Sequence, residues 1–193
     1  MQKPNLYIIA GCNGAGKTTA SFNVLPQILN CKEFVNADEI AKGLSPFCPE
    51  SVAIQAGKLM LERIKTLMAD GVSFAIETTL ATRSYKNLVL KAQEKGYNVS
   101  LLFFWLKSPE VACERVKKRV SEGGHYIPAE TIFRRYWLGL ENLFRIFMPI
   151  VDDWSLYDNN NETCLIADTN GIINHPVYSQ IINSICQRKN NWK

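Results

Sequence analysis

The fold is decided near the N-terminus by the stretch Leu6-Tyr7-Ile8-Ile9-Ala10-Gly11-Cys12-Asn13-Gly14-Ala15-Gly16-Lys17-Thr18-Thr19. Residues 6–10 are an apolar run of the kind that forms a buried strand, and residues from about 17 to 25 predict a helix. The segment between them, residues 11–18, matches the P-loop pattern GxxxxGK[ST]. A strand before this pattern and a helix after it are the required context, so the sequence predicts a P-loop nucleotide-binding protein.

Each part of the P-loop has its own task in phosphate binding. Backbone N–H groups of the loop surround the phosphates, the Lys17 ammonium reaches the outer phosphates, and the Thr18 hydroxyl binds Mg²⁺. We therefore expect ATP and Mg²⁺ as cofactors, with Thr18 as the metal ligand. The expected nucleotide-binding residues are Gly11, Cys12, Asn13, Gly14, Ala15, Gly16, Lys17, Thr18 and Thr19.

Beyond the P-loop, short apolar strands alternate with helical segments. Further strands are predicted at residues 34–35, 72–76, 99–106 and 163–167. Further helices are predicted at 51–68, at 84–95, from 109 to the glycine pair 123–124, from 128 to the residue before Pro149, and around 177–185. This alternation predicts an α/β class, a three-layer P-loop NTPase fold with a five-stranded, mostly parallel sheet and a helical lid at about residues 108–136. Ligands are expected at the carboxyl ends of the strands.

Composition narrows the class of protein. A chain of 193 residues with 47% hydrophobic residues suits one domain spanning residues 1–193. The net charge of +4 is too small and too dispersed to indicate a nucleic-acid partner, but it suits an anionic substrate. Six cysteines without CxxC spacing indicate free thiols in a reducing cytosol. Since no stretch reaches the ~18 apolar residues of a membrane span, we expect a cytoplasmic protein without membrane contact.

Two carboxylates that follow predicted strands are candidates for catalysis. Asp38 comes just after the second strand, where a carboxylate can face the γ-phosphate and accept the proton of a substrate hydroxyl. Glu77 directly follows the third strand, where it can hold Mg²⁺ through water or bind substrate beside Thr78 and Thr79. The alternative for each is structural, with Asp38 as an acid at a helix N-terminus and Glu77 as a helix cap.

Arginines on a segment that can close over the site are candidates to stabilise the transferring phosphoryl group. An arginine placed on that charge accelerates transfer by about 10³- to 10⁵-fold. The stretch 115–135 supplies Arg115, Arg119, Arg134 and Arg135. Helical spacing puts Arg115 and Arg119 on one face. Alternatively, each arginine is a solvent-exposed surface residue. His125 has the same two interpretations, a role at the site or a position on the exposed surface.

The P-loop is accompanied by other short motifs. They are Asn36-Ala37-Asp38, Ser45-Pro46, Ser73-Phe74-Ala75-Ile76-Glu77-Thr78-Thr79-Leu80, Arg115-Val116-Lys117-Lys118-Arg119-Val120, Gly123-Gly124-His125 with Ile127-Pro128, Arg134-Arg135-Tyr136 and Tyr157-Asp158-Asn159. Over about residues 5–168 this combination resembles the zeta-toxin-like P-loop kinases, in particular a chromosomal bacterial branch of that family.

The resemblance implies an activity, a partner and a set of site residues. Zeta toxins use ATP to phosphorylate a hydroxyl of the amino sugar in UDP-N-acetylglucosamine, and an antitoxin protein restrains them. By matching motif, Lys17 binds phosphate, Asp38 is the base, and Glu77 with Thr79 contacts the substrate. The expected catalytic residues are Lys17, Asp38, Arg115 and Arg119. The expected substrate-binding residues are Glu77, Thr78, Thr79, Arg83, His125, Arg134 and Arg135, of which Arg134 or Arg135 replaces the second lid arginine of the toxins.

Three functional hypotheses follow from these residues. The first is an ATP/Mg-dependent kinase that phosphorylates an alcohol group of a small molecule, such as a nucleotide sugar. The second is an ATPase or nucleotide-dependent switch without a small-molecule acceptor. The third is the toxin half of a toxin–antitoxin pair. The first predicts that ADP release depends on an acceptor substrate.

Overall fold

One sheet forms the centre of the molecule in the computed structural model, which describes residues 3–124 and 126–190. Its strands are β1 (Asn5–Ala10), β2 (Glu33–Val35), β3 (Phe74–Thr78), β4 (Asn98–Trp105), β5 (Asp153–Asp158), β6 (Cys164–Asp168) and β7 (Gly171–Ile172). Their order in space is β2-β3-β1-β4-β5-β6-β7. The first five run parallel, β6 is antiparallel to β5, and β7 is antiparallel to β6. The predicted α/β class with a mostly parallel sheet is confirmed.

Helices flank the sheet and connect its parallel strands. They are α1 (Lys17–Gln27), α2 (Ala37–Leu44), α3 (Ala53–Asp70), α4 (Tyr85–Glu94), α5 (Pro109–Ser121), α6 (Ala129–Asn142) and α7 (His175–Asn190), with a 3₁₀ turn at Pro49–Val52 and a π-helical turn at Leu143–Phe147. Local sequence explains several boundaries. Ser108 caps α5 by accepting a hydrogen bond from the Val111 N–H, and Gly71 ends α3 in the left-handed region at φ 66°. None of the described helices has the length and apolar character needed to cross a bilayer.

The register of the central strands places the P-loop beside the candidate carboxylates. β1 lies between β3 and β4, and Ile8 is paired with Ile76 on one side and Leu101 on the other. All three side chains are fully buried, which is the pattern of a parallel sheet covered on both faces. Further along, Ile9 pairs with Glu77, so β1 enters the P-loop next to that carboxylate.

The predicted number of five strands is wrong, because β5 and β7 were missed. β5 has the sequence Asp-Trp-Ser-Leu-Tyr-Asp, and Leu156 is its one fully buried residue. It pairs with β4, which lies far earlier in the chain, and with β6, which follows after a short turn, and its polar ends and single fully buried residue give only a weak local pattern. β7 has two residues and is too short to give a pattern.

The third strand is shifted relative to the prediction. Val72 lies between the left-handed Gly71 and the strand and is 39% exposed, so the strand begins at Phe74 rather than at residue 72. At the other end it continues through Glu77 and Thr78. Glu77 is therefore held by the sheet itself rather than by the loop that follows.

Candidate active site

The P-loop takes a conformation that only glycine allows at several of its positions. Gly14 and Gly16 have φ values of 79° and 80°, in the left-handed region. A Cβ at Gly11 would lie 2.4 Å from the Phe104 carbonyl oxygen, so the loop packs directly on the backbone of β4. Gly16 also caps α1, whose first N–H groups are available to an anion. This backbone is suited to surround phosphates.

The turn after β5 braces the P-loop from the side. The Asn159 side-chain amide donates to the Ala15 carbonyl oxygen at 2.7 Å, and a Cβ at Gly16 would lie 2.6 Å from that amide nitrogen. Arg115 donates to the Asn160 carbonyl oxygen through one guanidinium nitrogen. The strand that the sequence did not predict therefore fixes both the loop and one of the candidate arginines.

Glu77 is the centre of a polar network at the carboxyl end of β3. Its Oε2 accepts hydrogen bonds from the Thr18 hydroxyl at 2.8 Å and from the Asn36 side-chain amide at 2.9 Å. Its Oε1 lies 3.6 Å from Lys17 Nζ, and both side chains are less than a tenth exposed. Lys17 also donates to the Cys12 carbonyl oxygen at 3.0 Å. The carboxylate expected to bind substrate thus contacts the P-loop.

Asp38 lies in the first turn of α2, next to this network. Asn36 caps the helix because its Oδ1 accepts from the backbone N–H of Asp38 at 2.8 Å and of Glu39 at 3.4 Å. As Val35 pairs with Ile76, Asn36 leaves β2 level with Glu77 and can reach both the helix and the carboxylate. Asp38 is therefore an acid at a helix N-terminus and also a residue of the cleft.

Two clefts meet at Asp38. The first cleft, of about 260 Å³, is lined by Asn13, Gly14, Gly16, Lys17, Thr18, Thr19, Asp38, Glu39, Lys42, Glu77, Arg115, Arg119 and Gly124. The second cleft, of about 320 Å³, is lined by Ala37, Asp38, Ala41, Pro49, Glu50, Ala53, Tyr126, Ile127, Pro128, Thr131 and Arg135. Among the residues that the structure describes, Asp38 is the one that lines both. The first cleft contains most of the predicted phosphate-binding groups.

Arg135 connects α6 to the P-loop at the boundary of the clefts. Its Nη1 donates to the Asn13 side-chain oxygen at 3.2 Å. Burial lowers the pKa of the Arg135 guanidinium, the nearby Asp38 carboxylate raises it, and Arg134 lowers it further. A partly desolvated cation beside a carboxylate and a phosphate-binding loop is placed to bind a transferring phosphoryl group.

Other residues that the sequence analysis selected lie away from the clefts. Thr78 is buried, and its Oγ1 accepts from the Leu80 N–H at 3.0 Å. Arg83 and Arg134 are exposed and line neither cleft. Thr79 also lines neither, and its carbonyl oxygen faces Gly139 of α6. His125 falls outside the described residues.

Sequence reasoning assigned no role to three asparagines of the site, Asn36, Asn159 and Asn160. Asn36 carried a usable signal, since it follows β2 directly and precedes the candidate base by two residues. Asn159 ends the motif Tyr157-Asp158-Asn159 that was part of the resemblance, but Asn159 and Asn160 follow a strand that was not recognised, so their contacts with the P-loop and Arg115 were not predicted.

Comparison with known proteins decides the family. The zeta toxin family model matches residues 1–170, most of the chain. The chain belongs to the zeta toxin family. A relative in Haemophilus influenzae, itself uncharacterised, is 31% identical to this zeta toxin family member over 128 residues, covering 65% of this chain and 88% of that protein.

Solved structures show the same fold. A structure from the PezAT chromosomal toxin–antitoxin system of Streptococcus pneumoniae matches with a TM-score of 0.70 and 18% identity, covering 99% of this chain and 88% of that chain. The AvrRxo1-ORF1:-ORF2 complex with ATP matches with a TM-score of 0.75 and 18% identity, covering 93% of this chain and 63% of that chain. Zeta toxin family membership and this fold together support a nucleotide-dependent, kinase-like activity.

Proposed function

We propose that this protein transfers the γ-phosphoryl group of ATP to a hydroxyl group of a small molecule. The observation that carries the proposal is the position of Asp38, which lines both the phosphate-binding cleft and the neighbouring cleft. A carboxylate between the two substrates can accept the proton that the acceptor hydroxyl loses as it attacks the γ-phosphorus.

The P-loop network fits the nucleotide and its metal ion. The P-loop N–H groups and Lys17 bind the phosphates of ATP. Thr18 Oγ1 and the Glu77 carboxylate offer the hard oxygen ligands that Mg²⁺ prefers, and they are already in contact with each other. Thr18 and Glu77 would hold Mg²⁺, which supplies charge neutralisation for the phosphates when bound.

The chemical step uses the groups at the boundary of the clefts. Asp38 accepts the hydroxyl proton, the acceptor oxygen bonds to the γ-phosphorus, and the bond from that phosphorus to the bridging oxygen of ADP breaks. Arg115 and Arg119, on α5, line the first cleft, and Arg135, on α6, lines the second cleft, so positive charge lies on both sides of the boundary at which the phosphoryl group is transferred. Every residue in this step has a place in one of the two clefts.

The family suggests an acceptor and a partner. A nucleotide sugar such as UDP-N-acetylglucosamine is the acceptor that the zeta toxins imply, and an antitoxin protein is the partner. The pneumococcal neighbour comes from a toxin–antitoxin system, which supports testing this chain for growth arrest on expression. An antitoxin would then be expected to relieve that arrest.

The experiment that tests the proposal is transfer of labelled phosphate. The purified protein is incubated with γ-labelled ATP and Mg²⁺, with and without a panel of nucleotide sugars and small alcohols. We expect label to move to at least one acceptor, and we expect Lys17→Met to abolish this, whereas Lys107→Met, outside both clefts, should not. Release of free phosphate at a rate that no acceptor changes would contradict the proposal and favour an ATPase or switch.

A further inference from the structure

The peptide between Ala15 and Gly16, at the end of the P-loop, carries one of the N–H groups expected to bind phosphate. Gly16 has φ 80° and ψ 15°, and it lines the first cleft. Glycine adopts positive and negative φ with similar ease, so the loop sequence alone does not fix the direction in which this peptide faces. A contact from outside the loop can fix it.

Asn159, in the turn after β5, makes such a contact. Its side-chain amide donates to the Ala15 carbonyl oxygen at 2.7 Å. None of the described peptide bonds is cis, and in a planar trans peptide the C=O and N–H groups point in opposite directions. Because the Ala15 carbonyl is directed toward Asn159, the Gly16 N–H of the same peptide is directed away from it.

The packing at this contact is close. Ala15 is fully buried, so a carbonyl oxygen without a partner would be costly there. A Cβ at Gly16 would lie 2.6 Å from the Asn159 amide nitrogen. Glycine at position 16 therefore serves the approach of Asn159 as well as the left-handed backbone of the loop.

A second hydrogen bond orients the Asn159 amide. The Thr163 hydroxyl, just before β6, donates to the Asn159 side-chain oxygen. The Ala15 carbonyl can only accept a hydrogen bond, so Asn159 must present its NH₂ group to the P-loop and its oxygen to Thr163. The turn between β5 and β6 thus holds the amide in the orientation that the P-loop requires.

We propose that Asn159 is a positioning residue for nucleotide binding, which holds the Ala15–Gly16 peptide with its N–H group toward the phosphates. Asn159 lines neither cleft, so it acts through the loop rather than by touching the nucleotide. The proposal rests on the nucleotide binding of the proposed function and is independent of the acceptor. It requires that loss of the amide weakens every ligand whose phosphates bind the loop, with or without a nucleoside.

ATP and inorganic tripolyphosphate test this requirement, because tripolyphosphate has the phosphates but no nucleoside. Displacement of a fluorescent ADP analogue gives the affinity of each. We expect Asn159→Ala to weaken both by a similar factor of about 2- to 10-fold, the usual effect of one hydrogen bond. A loss for ATP alone would overturn the proposal, since it would place Asn159 against the nucleoside. A wild-type protein that binds neither ligand would instead contradict the proposed function.

Two further variants separate positioning from folding. Thr163→Val keeps the Asn159 amide but removes the hydroxyl that orients it, and should weaken both ligands by a smaller factor. Asn161→Ala changes an exposed residue of the same turn that lines neither cleft, and should leave both affinities unchanged. Equal losses in Asn159→Ala and Asn161→Ala would overturn the proposal.

Urea unfolding completes the test. If Asn159→Ala lowers the urea midpoint while the folded variant binds both ligands with wild-type affinity, Asn159 supports the fold and does not position the loop. That result would also overturn the proposal.

Discussion

Arg134 and Arg135 are neighbours in the sequence, but their environments differ. Arg135 is half-buried, contacts Asn13 and lines the second cleft with Asp38, whereas Arg134 is exposed. We expect Arg135→Ala to lower the rate of phosphoryl transfer by about 10³-fold or more, as for other arginines that bind a transferring phosphoryl group. Arg134→Ala should have little effect. Single-turnover transfer measures both, and equal losses in the two variants would contradict the role of Arg135.

Cys12 lies within the P-loop but should be chemically inert. Burial raises the pKa of its thiol to about 11, and the positive charge of Lys17 only partly opposes this. A raised pKa leaves the thiol protonated at neutral pH, and the thiolate is the form that reacts. At pH 7.5 iodoacetamide should label the exposed Cys48, Cys164 and Cys186 but not Cys12.

Peptide mass analysis checks this labelling. Urea provides the control, because unfolding exposes Cys12 and returns its pKa toward the ordinary value. Labelling of Cys12 in the folded protein as fast as that of the exposed cysteines would show that the loop opens in solution.

At the scale of elements, Asn36 links α2 to β3 through two separate hydrogen-bonding roles. Its Oδ1 caps α2, and its Nδ2 donates to Glu77. Asn36→Ser retains a cap but loses the bond to Glu77, while Asn36→Ala loses both. We expect the alanine variant to be less stable than the serine variant by about 0.5–2 kcal/mol, which is the usual effect of an N-cap.

Activity separates the positioning role from the cap. If Asn36 positions Glu77, the serine and alanine variants should lose transfer activity to the same extent. Urea unfolding and single-turnover assays give the two quantities. A serine variant with full activity would show that the contact with Glu77 does not matter for transfer.

α6 also packs closely against the segment that follows β3. A Cβ at Gly139 would lie 2.4 Å from the Thr79 carbonyl oxygen, and Asn142 donates to the Leu80 carbonyl oxygen at 2.9 Å. Gly139→Ala must push the helix from the loop, and we expect a loss of about 1–3 kcal/mol in the free energy of unfolding.

Gly57 of α3 is the matched control for this substitution. It lies inside a helix with nothing within 4 Å of an added Cβ, so Gly57→Ala should stabilise the protein by up to about 1 kcal/mol. Urea midpoints of the two variants should therefore move in opposite directions. A neutral Gly139→Ala would indicate that α6 is free to shift.

Elements with a strong local pattern could be predicted from the sequence, and those defined by distant partners could not. β1, β3 and β4 are apolar runs, and the helix stop at Gly71 is a local signal. β5 has polar residues at both ends and one fully buried residue, so its pairing with the sequence-distant β4, rather than an apolar run, defines it as a strand. Lys17 and Thr18 could be predicted as site residues for the same reason, because they belong to a contiguous sequence motif.

At the scale of the whole molecule, the second cleft was not predictable from local patterns. It forms where α2 and the 3₁₀ turn before α3, which are adjacent in the sequence, meet the start of α6, which comes about 80 residues later. Its position next to the P-loop cleft, with Asp38 between them, exists only in the folded chain. That residues 1–193 form one domain, and that an antitoxin binds it, stay predictions.

Asp38→Asn tests most directly whether Asp38 is the catalytic base. Two quantities are measured for this variant, the single-turnover rate of phosphoryl transfer and the affinity for ATP. The amide keeps the size of the side chain but cannot accept the proton, so transfer should fall by about 10²-fold or more while ATP affinity stays close to that of the wild type. Transfer at the wild-type rate would contradict the central claim that Asp38 acts as the base between the two clefts.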